Sequence, residues 1–260
     1  PPRSTLFPYT TLFRSTYLQM WTGSPKLQPW VDLIDNYKNP HDEVDIAFIG
    51  KYVENRDSYE SLNEALLHGG IANRLRVNLH YIDSELLTEE NVSGKLEKMD
   101  GVLVAPGFGE RGTEGKIAAI QIARTKNIPF FGICLGMQMA IVEFARNVVG
   151  IEGANSGESR PDHPENVIDL MPEQEGQVET GGTMRLGSQT TVLEKATRIA
   201  KIYNQTTISE RHRHRYEVMN YFVPRFEEAG LTVSGRHPER NLVETIELAE
   251  HPWFIGCQYH

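Results

Sequence analysis

The alternation of short apolar runs with helical periodicity between residues 44 and 147 constrains this chain more than any other feature. VDIAFIG (44–50), VNLHYID (77–83), GVLVAPG (101–107) and IPFFGIC (128–134) have the length and composition of strands. Helical patterns run from Ser58 to Leu75, near 89–98, across 114–126 and from about 135 to 147. Strands and helices in this rhythm need crossover connections, and the twist of a strand makes those crossovers right-handed. The expected fold is α/β: a mostly parallel open sheet flanked by helices, with a few antiparallel strands. Later in the chain, GANSGESRPDHPEN reads as loop and GGTMRLGSQTTVL as short strands and turns. LTVSG, NLVETIEL and WFIGCQYH return to sheet.

The 260 residues suffice for a sizeable core, and their 39% hydrophobic content suits a globular protein. A net charge of −9 argues against a general nucleic-acid or anionic-membrane surface, so neither partner is expected. No apolar run is long enough to cross a membrane as a helix. Two cysteines, Cys134 and Cys257, make no disulfide framework and no zinc-type pairing with histidine, and the reducing cytoplasm is the default. PPRSTLFPYTTLFRS at the start fits nothing that follows and lacks the apolar core of a signal peptide. The expected organisation is a non-native leader over 1–19, a linker over 20–42 with a short helix at WVDLIDNY, and one domain over 43–260.

Ligands on parallel sheets sit at the carboxyl ends of the strands. The loop PGFGERG (106–112) and Cys134 both fall there. Gly132-x-Cys134-x-Gly136 has the spacing of a nucleophile elbow, a sharp strand-to-helix turn that lifts its central side chain above the sheet. A helix N-terminus favours thiolate over thiol, and its N–H groups face any oxyanion formed on a substrate carbonyl. That is machinery for acyl transfer through a thioester. An isolated cysteine would read as a small core hydrophobe; the strand before, the helix after and the two glycines reverse that reading.

A thiolate nucleophile needs a base, and nine histidines compete. His260 is the best placed, because it ends the strand candidate WFIGCQYH; His68, His80, His163 and His251 read as surface or turn residues. Cys257, in the same strand, reads as an inward-facing core residue. Gln138 lies four residues after Cys134, on the same helix face. Arg211-His212-Arg213-His214-Arg215 would ordinarily be a solvated basic face. PGFGERGTEG lacks the Gly-Lys-Ser/Thr ending of a phosphate loop.

Taken in order, VAPGFGERG, GICLGMQMA, GANSGE, GGTMRLG, RHRHRYEV and HPWFIGCQYH closely resemble the CTP synthase family, in its C-terminal class I (triad-type) glutamine amidotransferase domain. The resemblance spans roughly residues 30–260. It implies that Cys134 attacks the side-chain amide of L-glutamine and that His260 serves as general base and acid. It places the oxyanion hole at the N–H groups of Gly107 and Leu135, and substrate contacts at Gly107, Leu135, Gly136, Met137, Gln138, Glu158 and Arg215. It also lines the glutamine site with the segment Arg211–Arg215, and Arg111 falls where the family's GTP activation acts. For an intact enzyme it implies ATP, Mg and allosteric GTP, a homotetramer, and a synthetase domain absent here; no cofactor or metal is implied for this domain. In the family Pro-Glu follows the catalytic histidine, whereas this sequence stops at His260. The expectation is therefore a glutaminase domain truncated at its C-terminus, with a catalytically inert glutamine-binding or assembly module as the alternative. Another cysteine hydrolase of this fold, such as a γ-glutamyl peptidase, is a third possibility that the RHRHRYEV block opposes.

Overall fold

The computed structural model describes residues 17–18, 26–170 and 184–260. All of the expected leader over 1–19 except residues 17–18, and Gly181–Thr183 of the GGTMRLG block, lie outside them. The chain divides into two compact units. The first takes the described residues up to Asp42, together with Leu67–Arg76. It contains α1 (Gln28–Lys38), longer than the expected WVDLIDNY piece and opened by a proline in its first turn. The second, Glu43–Leu66 with Val77–His260, holds the candidate site and all the elements after Asp83. Among the described residues no helix is long and apolar enough to cross a membrane.

The four apolar runs form β1 (Asp42–Gly50), β2 (Leu75–Asp83), β3 (Gly101–Val104) and β4 (Phe130–Ile133). Between and after them come α2 (Glu60–Asn73), α3 (Glu89–Leu96), α4 (Thr113–Thr125) and α5 (Leu135–Phe144). β1 pairs with β3, and β3 with β4, in parallel register. The second half of the chain adds β7 (Arg185–Leu193), β8 (Thr207–His214), β10 (Leu231–Arg236), β11 (Val243–Leu248) and β12 (Phe254–Cys257) to the same sheet. Its order is β2-β1-β3-β4-β12-β11-β10-β7-β8. β12 returns parallel to β4, while the pairs from β12 outward to β8 are antiparallel. The fold is α/β, with a parallel centre and an antiparallel wing. Two short helices, α6 (Arg198–Tyr203) and α7 (Val223–Glu228), connect the wing strands.

Two expectations change in the wing. The pattern of GGTMRLGSQTTVL predicts short strands and turns, yet Arg185–Leu193 is one nine-residue strand. Its partner β8 turns RHRHR from a basic face into an alternating strand, with Arg211 and Arg213 outward and His212 and His214 buried. The GANSGE loop also contains β5 (Asn155–Ser156), which joins β6 (Asn166–Asp169) and β9 (Glu217–Val218) in a small second sheet.

α5 decides where the site sits. All ten of its residues are buried, Gln138 and Glu143 included. Its N-terminus follows β4 at once, and β12 lies alongside β4 with Cys257 opposite Ile133. Residues after β4 and after β12 therefore emerge side by side at one carboxyl edge.

Candidate active site

Cys134 sits at φ +53°, ψ −105°, a backbone conformation that side-chain-bearing residues rarely adopt. Its N–H donates to the Cys257 carbonyl at 2.7 Å, and its carbonyl accepts from the Gln138 N–H at 3.1 Å. The sharp turn brings backbones together. A Cβ on Gly132 would meet the Gly136 carbonyl at 2.8 Å, and one on Gly136 would meet the Val104 carbonyl oxygen at 2.2 Å. Glycine at both flanks of the thiol is thus a packing requirement of the elbow.

The thiol is only 3% exposed. Burial pushes it up to about 12, against the Leu135 N–H and the Gln258 side chain, both of which favour thiolate. The Gln258 amide donates to the sulfur at 3.5 Å. The expectation that a helix N-terminus favours the thiolate is outweighed here: Cys134 rests as a thiol and needs help to ionise. Cys257 is also buried, its thiol pushed up by burial, and it packs in the core as expected.

Cys134 opens into a cavity of about 370 Å³, near the lower end of the usual range for small-molecule sites. Gly107, Gln138, Glu158 and Arg215 line it too, so five of the residues singled out in the sequence meet around one space. Phe108, Met184, Arg213, His214 and Tyr216 complete the wall. Leu135 packs against Gly107, its side chain 3.4 Å from where a Gly107 Cβ would sit. Met137 is fully buried and Gly136 presses on Val104, so either could reach a ligand through its backbone only. The Phe108–Gly109 loop is pinned from two sides. Lys51 Nζ donates to the Phe108 carbonyl at 2.8 Å, and the Gly109 N–H donates to Glu158 Oε1 at 2.8 Å. A larger cleft of about 610 Å³ opens at the N-terminus of α4, where Arg111 pairs with Glu85 at 3.2 Å; no cysteine or histidine lines it.

His260 is not among the residues lining the cavity. Its N–H donates to the Arg211 carbonyl at 2.8 Å, and its ring takes a hydrogen bond with the Arg213 backbone. His260 is exposed as a residue, but partial desolvation of its ring first, then Arg211 and Arg213, hold the imidazole below its ordinary range. Among the described residues no imidazole hydrogen-bonds the Cys134 sulfur. His214, in the segment that the family resemblance places along the glutamine site, lines the cavity and forms a 2.9 Å bond with His212. Burial keeps both neutral, at about 2 and about 3 respectively. Behind them Arg185 bridges two buried carboxylates, Glu217 at 3.1 Å and Glu244 at 2.7 Å.

Two further residues escape sequence reasoning. Gln258 accepts from Gln138 Nε2 at 3.0 Å while donating to Cys134, and Gln138 also donates to the Tyr216 carbonyl at 3.0 Å. Its position two residues before His260 is the only signal. Lys116, in the first turns of α4, is 0% exposed. It shares a helix face with Ala119, Ile120 and Ala123, all fully buried, and a lysine on such a stripe is the signal that could have found it.

Residues 55–260 match the family model described as glutamine amidotransferase class-I. The chain belongs to this family. It is 54% identical over 244 residues to a CTP synthase of Geobacter metallireducens, covering 94% of this chain and 45% of the relative. With a CTP synthase of Lawsonia intracellularis the identity is 50% over 257 residues, covering 95% and 47%. The chain thus spans about half the length of the curated relatives it matches. Among solved structures, the glutaminase domain of Trypanosoma brucei CTPS with bound acivicin is 38% identical, covers 84% of this chain and 85% of that one, and superposes with a TM-score of 0.79. This amidotransferase chain is therefore of the kind that forms the glutaminase domain of CTP synthases.

Proposed function

We propose that this amidotransferase chain hydrolyses glutamine and, in an intact CTP synthase, supplies ammonia for conversion of UTP to CTP with ATP. The observation that carries the reading is Cys134: a strained elbow nucleophile opening into a cavity that Gly107, Gln138, Glu158 and Arg215 also line. In this mechanism the sulfur attacks the side-chain amide carbon while its proton passes to a base. The N–H groups of Gly107 and Leu135 receive the charge on the carbonyl oxygen. The C–N bond breaks, ammonia leaves with that proton, and a γ-glutamyl thioester remains. Water then releases glutamate and restores the thiol.

His260 is the base in this reading. It follows β12 at the same edge, and catalytic hydrogen bonds often tighten only when substrate binds. Glu158 offers a carboxylate for the substrate's α-amino group, and the Arg215 region a positive counterpart for its α-carboxylate. The glutaminase domain of T. brucei CTPS was solved with acivicin, a glutamine analogue, which supports glutamine as the substrate. ATP with Mg, GTP activation and a homotetramer belong to the same proposal for the whole protein. The alternative of an inert glutamine-binding module has no support in the fold or the relatives.

The test is peptide mapping after exposure to a glutamine-mimicking electrophile. One adduct on Cys134, suppressed by excess glutamine and lost in Cys134→Ala, is expected. A folded protein that takes no adduct at Cys134 would refute the glutaminase reading.

A further inference from the structure

We infer that the Lys116 ammonium is a built-in counter-charge for the negative charge that forms at Cys134, making Lys116 a positioning residue of the glutaminase centre. The inference rests on the function proposed above and extends it to a residue that no motif marks.

Lys116 is fully buried, and among the described residues its Nζ has no hydrogen-bond partner. A desolvated ammonium is expensive unless a carboxylate or carbonyl meets it, so buried lysines are usually paired. This one points at the oxyanion loop: Nζ lies 3.5 Å from where a Cβ on Gly107 would sit. Gly107 in turn packs on Leu135, the residue after the thiol. The charged groups that act on Lys116 belong to the same site. Lys51, just after β1, is the nearby like charge, while Cys134 and Glu158 favour the charged lysine. Lys51 and Glu158 already have partners in the Phe108 carbonyl and the Gly109 N–H. Of these three charged groups, Lys116 is the one that no hydrogen bond reaches among the described residues.

That imbalance has a direction. Before reaction the thiol is neutral, and Glu158 is the carboxylate that acts on the ammonium without bonding to it. Once the sulfur ionises, or an oxyanion forms beside Gly107, the positive charge gains its counterpart in a dry, low-dielectric setting. An environment arranged in advance for charge that develops only during reaction is the main way proteins lower such barriers. Burial and Lys51 bring the lysine down to about 8, so its charge is present near neutrality and lost above.

The experiment compares the full chain with Lys116→Met and Lys116→Arg, following iodoacetamide alkylation of Cys134 by peptide mapping across pH. At pH 7 the Met variant should react about tenfold more slowly, the effect of a one-unit rise in the thiol pKa. The gap should close as pH rises past about 8, where wild-type Lys116 gives up its proton. The Arg variant, charged throughout, should keep its advantage over Met across that range. Thermal unfolding should show the Met variant at least as stable as wild type, because an apolar chain replaces an unpaired buried charge. If the Met variant does not fold, Lys116→Gln takes its place in the rate comparison. Coincident profiles, or a rate ratio that stays constant with pH, would overturn the inference and leave Lys116 a packing residue. Failure of the underlying glutaminase reading is seen separately, as wild-type Cys134 that alkylates but is not protected by glutamine.

Discussion

Gln258 links two residues that sequence spacing already pairs. The four-residue helix repeat places Gln138 with Cys134, but its amide is committed to Gln258 and the Tyr216 carbonyl. Gln258 carries the same chain of hydrogen bonds on to the sulfur. Replacing it with methionine keeps most of the volume and removes both bonds. Destabilisation of about 1–3 kcal/mol is expected from the buried polar atoms left unmatched. Alkylation of Cys134 should also slow, because a donor that favours thiolate is gone. Unchanged reactivity with lowered stability would reduce Gln258 to a packing role.

At the scale of elements, the elbow depends on α5 staying in place, and an ion pair with a fully buried carboxylate ties α5 to α4. Arg124 Nε and Nη2 grip Glu143 at 2.8 and 2.7 Å, and Asn147 adds a third bond to the same carboxylate. Glu143 is fully buried, so removing its partner strands a charge inside the protein. Arg124→Ala should destabilise the fold by about 3 kcal/mol or more in denaturant unfolding. Arg124→Ala paired with Glu143→Leu should recover much of that loss, because no charge is then left buried. If the double variant is no more stable than the single one, the loss comes from packing instead of charge.

For the whole molecule, the pH response should be set by the Arg185 cluster under the antiparallel wing. One guanidinium faces two carboxylates that are both fully buried, and burial favours the protonated form of each. Burial, with Glu244 adding to it, pushes Glu217 up to about 8 despite Arg185. A carboxyl whose folded pKa is raised contributes stability below its unfolded value near 4.5 and loses it as pH climbs through about 8. His212 and His214 act in the opposite sense. They are neutral when folded, so stability falls as pH drops below the ordinary histidine value. Glu217→Gln should therefore melt higher than wild type above pH 8, by roughly 2–4 °C per kcal/mol recovered, with the gain vanishing in acid. A gain that is the same at every pH would exclude titration of Glu217 as its source.

Much of this is legible in the sequence. Period-two and period-3.6 patterns locate the four strands of the first half and their helices, because a buried strand or helix face must be apolar wherever it lies in the chain. The elbow glycines and the thiol are legible because the crowding that demands them is local: Gly132, Cys134 and Gly136 are neighbours in sequence as well as space. Basic residues mislead the pattern. RHRHR looks solvated until β7 pairs with β8 and puts its two histidines inside. Lys116 and Gln258 give little usable signal, since their meaning depends on strands and loops far away in sequence. Sequence alone thus determined the α/β class, the glycine-flanked elbow of Cys134 and its carboxyl-edge location, which follow from periodicity and short-range sterics. Only the tertiary structure decided that burial holds the thiol protonated, that Arg185 must share two carboxylates, and that an unpaired ammonium stands behind Gly107. Those are properties of solvent exclusion and long-range charge, and neither exists until the chain is folded.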